Sequence, residues 1–467
     1  MKTRKLGIVL LSLAVVLPLT IRADQDGDRR DWRDRDACRE DSDHHRHNLD
    51  TPLKLIGVVP VPGNPIISAD IAWIDPGTER YYLADRSNAG VDIIDVETDF
   101  YVGRVGGMVG VVKAADGSTA NNGSGPNGVV VTPNRRLWAG DGNDTLVVAD
   151  VDPDSATYLS ILHSINLADT IKTSPSFCDD GTANGHWCGR ADEIGYDPRH
   201  HVILIATPGP LSPNVLGCAT PSGHCPVEPY ATLVSADPPY SILQEISFKN
   251  AGGLEQPLWD PGLNRFWLTV PGATAFNPTI ARINSTTKSV DRTITIDCVG
   301  LGVPASASIT GIALAPSQHL LVSACGFPVD VNAISGKAKL ITSKIGGGDE
   351  VWYNSGDGHF YVTGRDAANV QQLGVIDAQD DSLDQTIPVS AGPLIAPPPP
   401  PVVLPALTAG RNPAAFAENN RVFVDTPVSA AIVAGAKPDD STCTKFGVVG
   451  RGCIAVYAHS GDEDDDR

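Results

Sequence analysis

The sequence predicts an all-β fold, a seven-bladed β-propeller whose ring is closed by an N-terminal strand added to the last blade. Three observations predict it. The 467 residues include 46 Gly and 37 Pro with 42% hydrophobic residues, the make-up of a chain with many short strands and tight turns around a packed core. A pair of apolar strands joined by a polar turn recurs seven times. The seventh copy lacks an outer strand, and an apolar segment with no partner of its own, "LKLIGVVPV" at 53–61, stands ahead of the first copy.

The chain opens with Lys2, Arg4 and Lys5, followed by an apolar stretch from Leu6 to Leu19 broken by Gly7, Ser12 and Pro18. Residues 1–23 therefore read as a signal peptide with Ala23 before the cleavage point. The alternative is a retained membrane anchor, but the stretch is short against the ~20 apolar residues of a span. Residues 24–50 mix both charges with almost no apolar residues and are expected to be disordered. The run "HHRH" at 44–47 could hold a transition metal loosely, although a solvated tail is the simpler reading. The propeller is expected over 51–458, and 459–467 form a second, acidic tail.

Within the propeller, the inner strands read "ADIAWIDP" (69–76), "PNGVVVTP" (126–133), "ADEIGYDP" (191–198), "LEQPLWDP" (254–261), "ITGIALAP" (309–316), "DEVWYNSG" (349–356) and "RNPAAFAEN" (411–419). Each is followed by a polar turn and a second strand such as "RYYLAD", "RLWAGD", "HVILIAT" or "RFWLTV". The spacing of roughly 40–65 residues exceeds that of compact blades because loops are inserted. A pair of β-sandwiches is the rival architecture, but it does not call for seven in-register copies. Closing the ring with 53–61 removes an exposed sheet edge. Trp73, Trp138, Trp259, Trp267 and Trp352 fall in these strands and are expected to pack blade against blade. The Pro-rich segment 391–405 reads as a stiff crossing loop.

The first copy resembles the YVTN-type propeller repeat. Tyr82, Leu83, Ala84 and Asp85 fill its first motif, and Val91, Ile93, Ile94 and Asp95, followed by Thr98, fill its second. Asp85 stands where that family usually has Asn. The resemblance implies a seven-bladed fold and no particular activity.

Common catalytic motifs are absent from the sequence: there is no GxSxG, HExxH or CxxCH, and the Gly-rich "NNGSGPNG" lacks the GK[ST] of a phosphate loop. "DVDPDSATYLSI" (150–161) has alternating Asp but lacks the Gly and terminal Glu of a calcium loop, so Asx turns explain it. The repeat register is more informative. Counting back six positions from the turn that ends each inner strand gives Asp70, Asn127, Asp192, Glu255, Thr310, Glu350 and Asn412, with Glu193 and Asp349 beside them. All seven are polar and none is a cation. They are expected to form a ring at one mouth of the channel. Converging carboxylates must take up protons, stay hydrated or share a cation. Asp70, Asn127, Asp192, Glu255, Glu350 and Asn412 are the candidate metal ligands, and oxygen donors without His or Cys suit Ca²⁺. Their composition is similar to that of the gluconolactonase-like propellers. That likeness implies a Ca²⁺-dependent hydrolase of lactones or esters, in which Asp192 or Glu350 would activate water. A hydrated channel mouth without an ion remains the alternative.

Eight of the nine cysteines fall in close pairs: Cys178 with Cys188, Cys218 with Cys225, Cys298 with Cys325, and Cys443 with Cys453. Cys38 lies apart. Disulfides are expected in an exported protein, with metal binding as the rival because His186 and His224 lie inside two of the loops. The net charge of −20 argues against nucleic acid as a partner. The sequence thus describes an exported, periplasmic or extracellular protein, expected to be monomeric and not membrane-inserted after cleavage. Its expected role is binding or scaffolding of an unidentified protein or small molecule, through a face bearing the loops 174–190, 207–229 and 391–411 and the acidic mouth.

Overall fold

The computed structural model describes residues 51–113, 123–142, 144–167, 177–178, 186–187, 190–208, 229–249, 251–273, 277–389, 412–428 and 442–459. Residues 1–50, with the expected signal peptide, charged segment and "HHRH", the Pro-rich segment and residues 460–467 of the expected acidic tail lie outside the described residues, whereas His459 ends a strand. So do most of the loops 174–190, 207–229 and 391–411.

Seven four-stranded antiparallel sheets follow one another along the chain. Their inner strands are Ala72–Asp75, Val129–Thr132, Ile194–Asp197, Pro257–Asp260, Ile309–Ala315, Val351–Asn354 and Pro413–Phe416. Blades 1 to 6 each run inner to outer in chain order. Blade 7 has three such strands, ending in Cys453–His459, and takes its fourth from Leu53–Val59 at the other end of the chain. Leu53 and Val59 are buried there, and Gln385 of blade 6 exchanges hydrogen bonds with the Leu53 backbone at 2.9 and 3.0 Å. The seven-bladed fold and its closure are as the sequence predicts.

Blade 1 illustrates why these residues make these elements. In Arg80–Asp85 the five residues after Arg80 are all buried, because both faces of a blade meet a neighbour. Tyr81, Leu83 and Ile94 pack with Phe423 and Val456 of blade 7, whereas Tyr82, Val91 and Ile93 pack with Val129 and Leu137 of blade 2. A continuous apolar run is the signature of a strand buried on both sides. Only the outer strand faces water on one side, as Phe100 does. The aspartates end strands: Asp85 accepts from the amides of Ser87 (2.8 Å) and Asn88 (3.2 Å), and Asp95 from those of Glu97 (3.1 Å) and Thr98 (2.8 Å). Asp150 likewise gathers the Asp152 amide (3.0 Å) and the Ser155 and Thr157 hydroxyls (both 2.6 Å), an Asx-type turn.

Cys298–Cys325 and Cys443–Cys453 are disulfides. The side chains of Cys178, Cys188, Cys218 and Cys225 lie outside the described residues, as does Cys38. No helix among the described residues is long and apolar enough to cross a membrane.

Candidate functional site: the channel mouth

Strand pairing fixes which residues stand at equivalent places. Ala72 pairs Leu83, Val129 pairs Ala139, Ile194 pairs Ile205, Pro257 pairs Leu268, Val351 pairs Val362 and Pro413 pairs Val424. Asp70, Asn127, Asp192 and Glu255 each lie two residues before the first of these partners, and their amides bond the second strand of their own blade at 2.7–3.1 Å. In blades 6 and 7 the same position is Asp349 and residue 411. Glu350 and Asn412 instead take the next position, the one held by Glu193 in blade 3. The count from the turn slips by one there because Pro76, Pro133, Pro198 and Pro261 stand one residue past their strands, whereas Gly356 and Glu418 stand two past Asn354 and Phe416. Arg411 itself lies outside the described residues.

The ring converges through its charges. Asp70, Asp192, Glu193, Glu255, Asp349 and Glu350 act on one another electrostatically although they come from blades 1, 3, 4 and 6. Two arginines join them. Arg86 follows the Asp85 cap, is 3% exposed, and donates to Asp70 and to Asn127 Oδ1 (Nε at 2.9 Å and Nη2 at 2.6 Å). Arg190 donates to Asp192 Oδ2 at 2.6 Å. Neither arginine is at a repeat-register position. Arg86 sits in a turn and Arg190 two residues ahead of the ring, so periodicity offers no signal for either.

Side chains also tie one blade to another. Asn127 Nδ2 donates to the Ala191 carbonyl at 2.8 Å, and Asn412 Nδ2 to the Asp70 carbonyl at 2.6 Å. Glu350 Oε2 accepts from the Ala72 amide at 3.0 Å. Thr310 Oγ1 donates to the Gly348 carbonyl at 2.5 Å, so Thr310 braces blade 5 against the approach to blade 6. The ring is thus part of the fold as well as a surface.

Acceptors are left over. Asp192 Oδ1, Glu193 Oε2, Glu350 Oε1 and Asn412 Oδ1 are buried with no hydrogen-bond partner among the described residues. Burial, followed by the charge of Asp192, pushes the Glu193 and Glu255 carboxyls well above the ordinary carboxylate range. Burial does the same to Glu350, against the pull of the Ala72 amide. Asp192 is raised by burial to about 6, moderated by Arg190. With nothing bound, the surroundings of the glutamates at this mouth favour their protonated form over the carboxylate.

Three residues beyond Asp70 and Asp349 stand Trp73 and Trp352, their rings edge to face at 5.5 Å. The other tryptophans pack between strands as expected, with Trp138 and Trp267 fully buried. The described residues flanking the long connections, Leu167 and Arg190, Pro208 and Pro229, and Val389 and Asn412, all lie at the ends of strands on the ring side. Both described disulfides are on that side too.

Among the described residues, three groups bring three His or acid ligand atoms within 4.8 Å of one another: Asp357–His359–His459, His319–Asp330–Asp381 and His359–Asp377–Asp384. None contains a ring residue. Asp70 and Asn127 already face a guanidinium.

No family model matches the chain, and no curated protein matches it in sequence. Many solved structures resemble it. One in the crystal structure of a mitotic checkpoint complex has a TM-score of 0.50 at 11% identity, covering 91% of this chain and 96% of that one. The Pan2 WD40 domain of Neurospora crassa has a TM-score of 0.49 at 7% identity, covering 87% and 95%. At 11% identity the first of these likenesses bears on architecture alone: the chain is a seven-bladed β-propeller, and its chemistry rests on its own residues.

Proposed function

We propose that the protein is an exported binding protein, of the YVTN type by its first repeat, whose ring-side face receives a cationic group at the acidic mouth. The group would be an ammonium or guanidinium carried by a partner protein or a small molecule. One observation carries the reading: buried acceptors at the mouth lack donors. Arg86 and Arg190 each face carboxylates, while four buried oxygens on Asp192, Glu193, Glu350 and Asn412 lack partners. A buried acceptor without a donor costs about 1–3 kcal/mol, which an incoming N–H group recovers. The net charge of −20 draws cations toward it. The disulfides suit an oxidising compartment.

The same hard oxygens are what favours the second reading, a Ca²⁺-dependent hydrolase with Asp192 or Glu350 activating water. Against it stands Arg86, which holds Asp70 and Asn127, two of the ligands such a site would use. Trp73 and Trp352 provide the readout. Titrating the native protein with a lysine-rich peptide should change its tryptophan fluorescence saturably, and the fully acetylated peptide should not. Saturable binding of Ca²⁺ with stabilisation that chelator abolishes, and no response to the peptide, would displace this reading in favour of the hydrolase.

A further inference from the structure

The face opposite the ring carries a second constellation. Asp357 lies in the turn between the first two strands of blade 6, and His359 opens the second of them, His359–Arg365. His459 ends the strand Cys453–His459 of blade 7, against which Leu53–Val59 closes the propeller. Strand direction therefore brings all three to one seam, where the two ends of the chain meet.

Their geometry is that of ligands around one point. His359 Nδ1 is 3.5 Å from Asp357 Oδ1, and His459 Nε2 is 3.5 Å from Asp357 Oδ2. The Asp357 side chain is fully buried and His459 is 2% exposed. His359 Nδ1 is buried and has no hydrogen-bond partner among the described residues. Each imidazole has its other nitrogen committed outward. His459 Nδ1 is 2.7 Å from the Thr51 carbonyl, which can only accept, so this nitrogen carries the proton and Nε2 presents its lone pair to the cluster. His359 Nε2 is 3.5 Å from the Asp384 carboxylate. An imidazole whose outer N–H is held by a carbonyl or carboxylate is oriented as metal-ligating histidines are. The Tyr361 hydroxyl, 2.5 Å from Asp357 Oδ2 and 3.5 Å from His459 Nε2, closes the fourth side.

We propose that Asp357, His359 and His459 form a site for Zn²⁺ or a similar borderline transition-metal ion, positioned by Thr51 and Asp384, that staples the closure of the propeller. Two imidazoles and one carboxylate are the donor set of such ions and not of Ca²⁺. An ion here would tie blade 6 to the last strand of blade 7 and, through Thr51, to the N-terminal strand. The site is remote from the ring, so it stands or falls separately from the function proposed above.

The test is calorimetric titration of the full-length, chelator-treated protein with ZnCl₂ and, separately, CaCl₂, alongside thermal melts. Burial alone would lower the proton affinity of both imidazoles, but Asp357 outweighs it and raises them, so the titration is run at pH 8 to limit proton competition. The variants are His359→Gln, His459→Gln and the triple tail variant His44→Ala/His45→Ala/His47→Ala, with circular dichroism confirming the fold of each. One Zn²⁺ per chain is expected in the native protein and in the tail variant, with a raised melting temperature. Affinity should fall at least tenfold in His359→Gln and in His459→Gln, and Ca²⁺ should give no response. His359→Gln keeps the test open should His459→Gln fail to fold. The proposal is overturned if Zn²⁺ does not bind stoichiometrically. It is equally overturned if the folded His359→Gln variant binds as the native protein does, or if only the tail variant loses binding.

Discussion

Arg86→Met removes the guanidinium that links blades 1 and 2 at the channel mouth. The side chain is almost fully buried and donates to Asp70 and to Asn127 Oδ1, so the substitution takes a buried donor from the Asp70 carboxylate and from an amide oxygen. Asp192 and Asp349 are close enough to act on Arg86, and their charge is left less opposed. Removing one partner of a buried ion pair costs about 3–5 kcal/mol. The assay is urea denaturation followed by tryptophan fluorescence, reading the midpoint and the slope. Arg86→Met should lower the midpoint by that amount with the slope unchanged. Adding Asp70→Asn removes the charge that Arg86 opposed, so the double variant should regain at least half of the loss. A single variant within about 1 kcal/mol of the native protein, or a double variant worse than the single one, would refute the view that this pair organises the mouth.

Three further outcomes follow from the same structure. Asp144, buried in the turn after blade 2's second strand, is raised to about 7, chiefly by burial, with the Tyr230 and Thr207 hydroxyls opposing. The fold therefore favours its protonated form: stability is greatest below the unfolded value near 4 and falls as pH rises toward 7. Asp144→Asn should stabilise the protein by a few kcal/mol at pH 8 and by nothing at pH 4, read from urea midpoints at both. Cys298–Cys325 closes a span of 27 residues, worth about 3.5 kcal/mol of chain entropy. Cys298→Ser/Cys325→Ser should lower the denaturation midpoint accordingly, and an unchanged midpoint would contradict it. Deleting residues 1–59 exposes the edge of Cys453–His459, and light scattering should then find larger species than the chain that keeps Leu53–Val59 forms.

The fold was legible because a propeller repeats one pattern with both faces buried. "RYYLAD" and its six counterparts carry that pattern, and "LKLIGVVPV" had no other place to pair. The ring was legible where a Pro directly follows the inner strand, at Asp70, Asn127, Asp192 and Glu255. It slipped by one at Glu350 and Asn412, where no Pro marks the end of the inner strand. Arg86 and Arg190 escaped notice because a turn residue's direction is set by local backbone geometry, here the Asp85 cap, and leaves no period in the sequence. His359 and His459 are 100 positions apart, and only the packing of blade 6 against blade 7 brings them together.

The most direct test of the central claim counts protons. A cationic group entering the mouth favours the ionised form of Glu193, Glu255 and Glu350, whose proton affinity burial raises in the empty state. Calorimetric titration with the lysine-rich peptide, repeated in buffers of different ionisation enthalpy, measures that release. The account predicts release of protons on binding, and weaker binding with less release in Glu193→Gln/Glu255→Gln, whose side chains mimic the protonated glutamates without being able to ionise. Binding with no proton release, or equal affinity in that double variant, would contradict it.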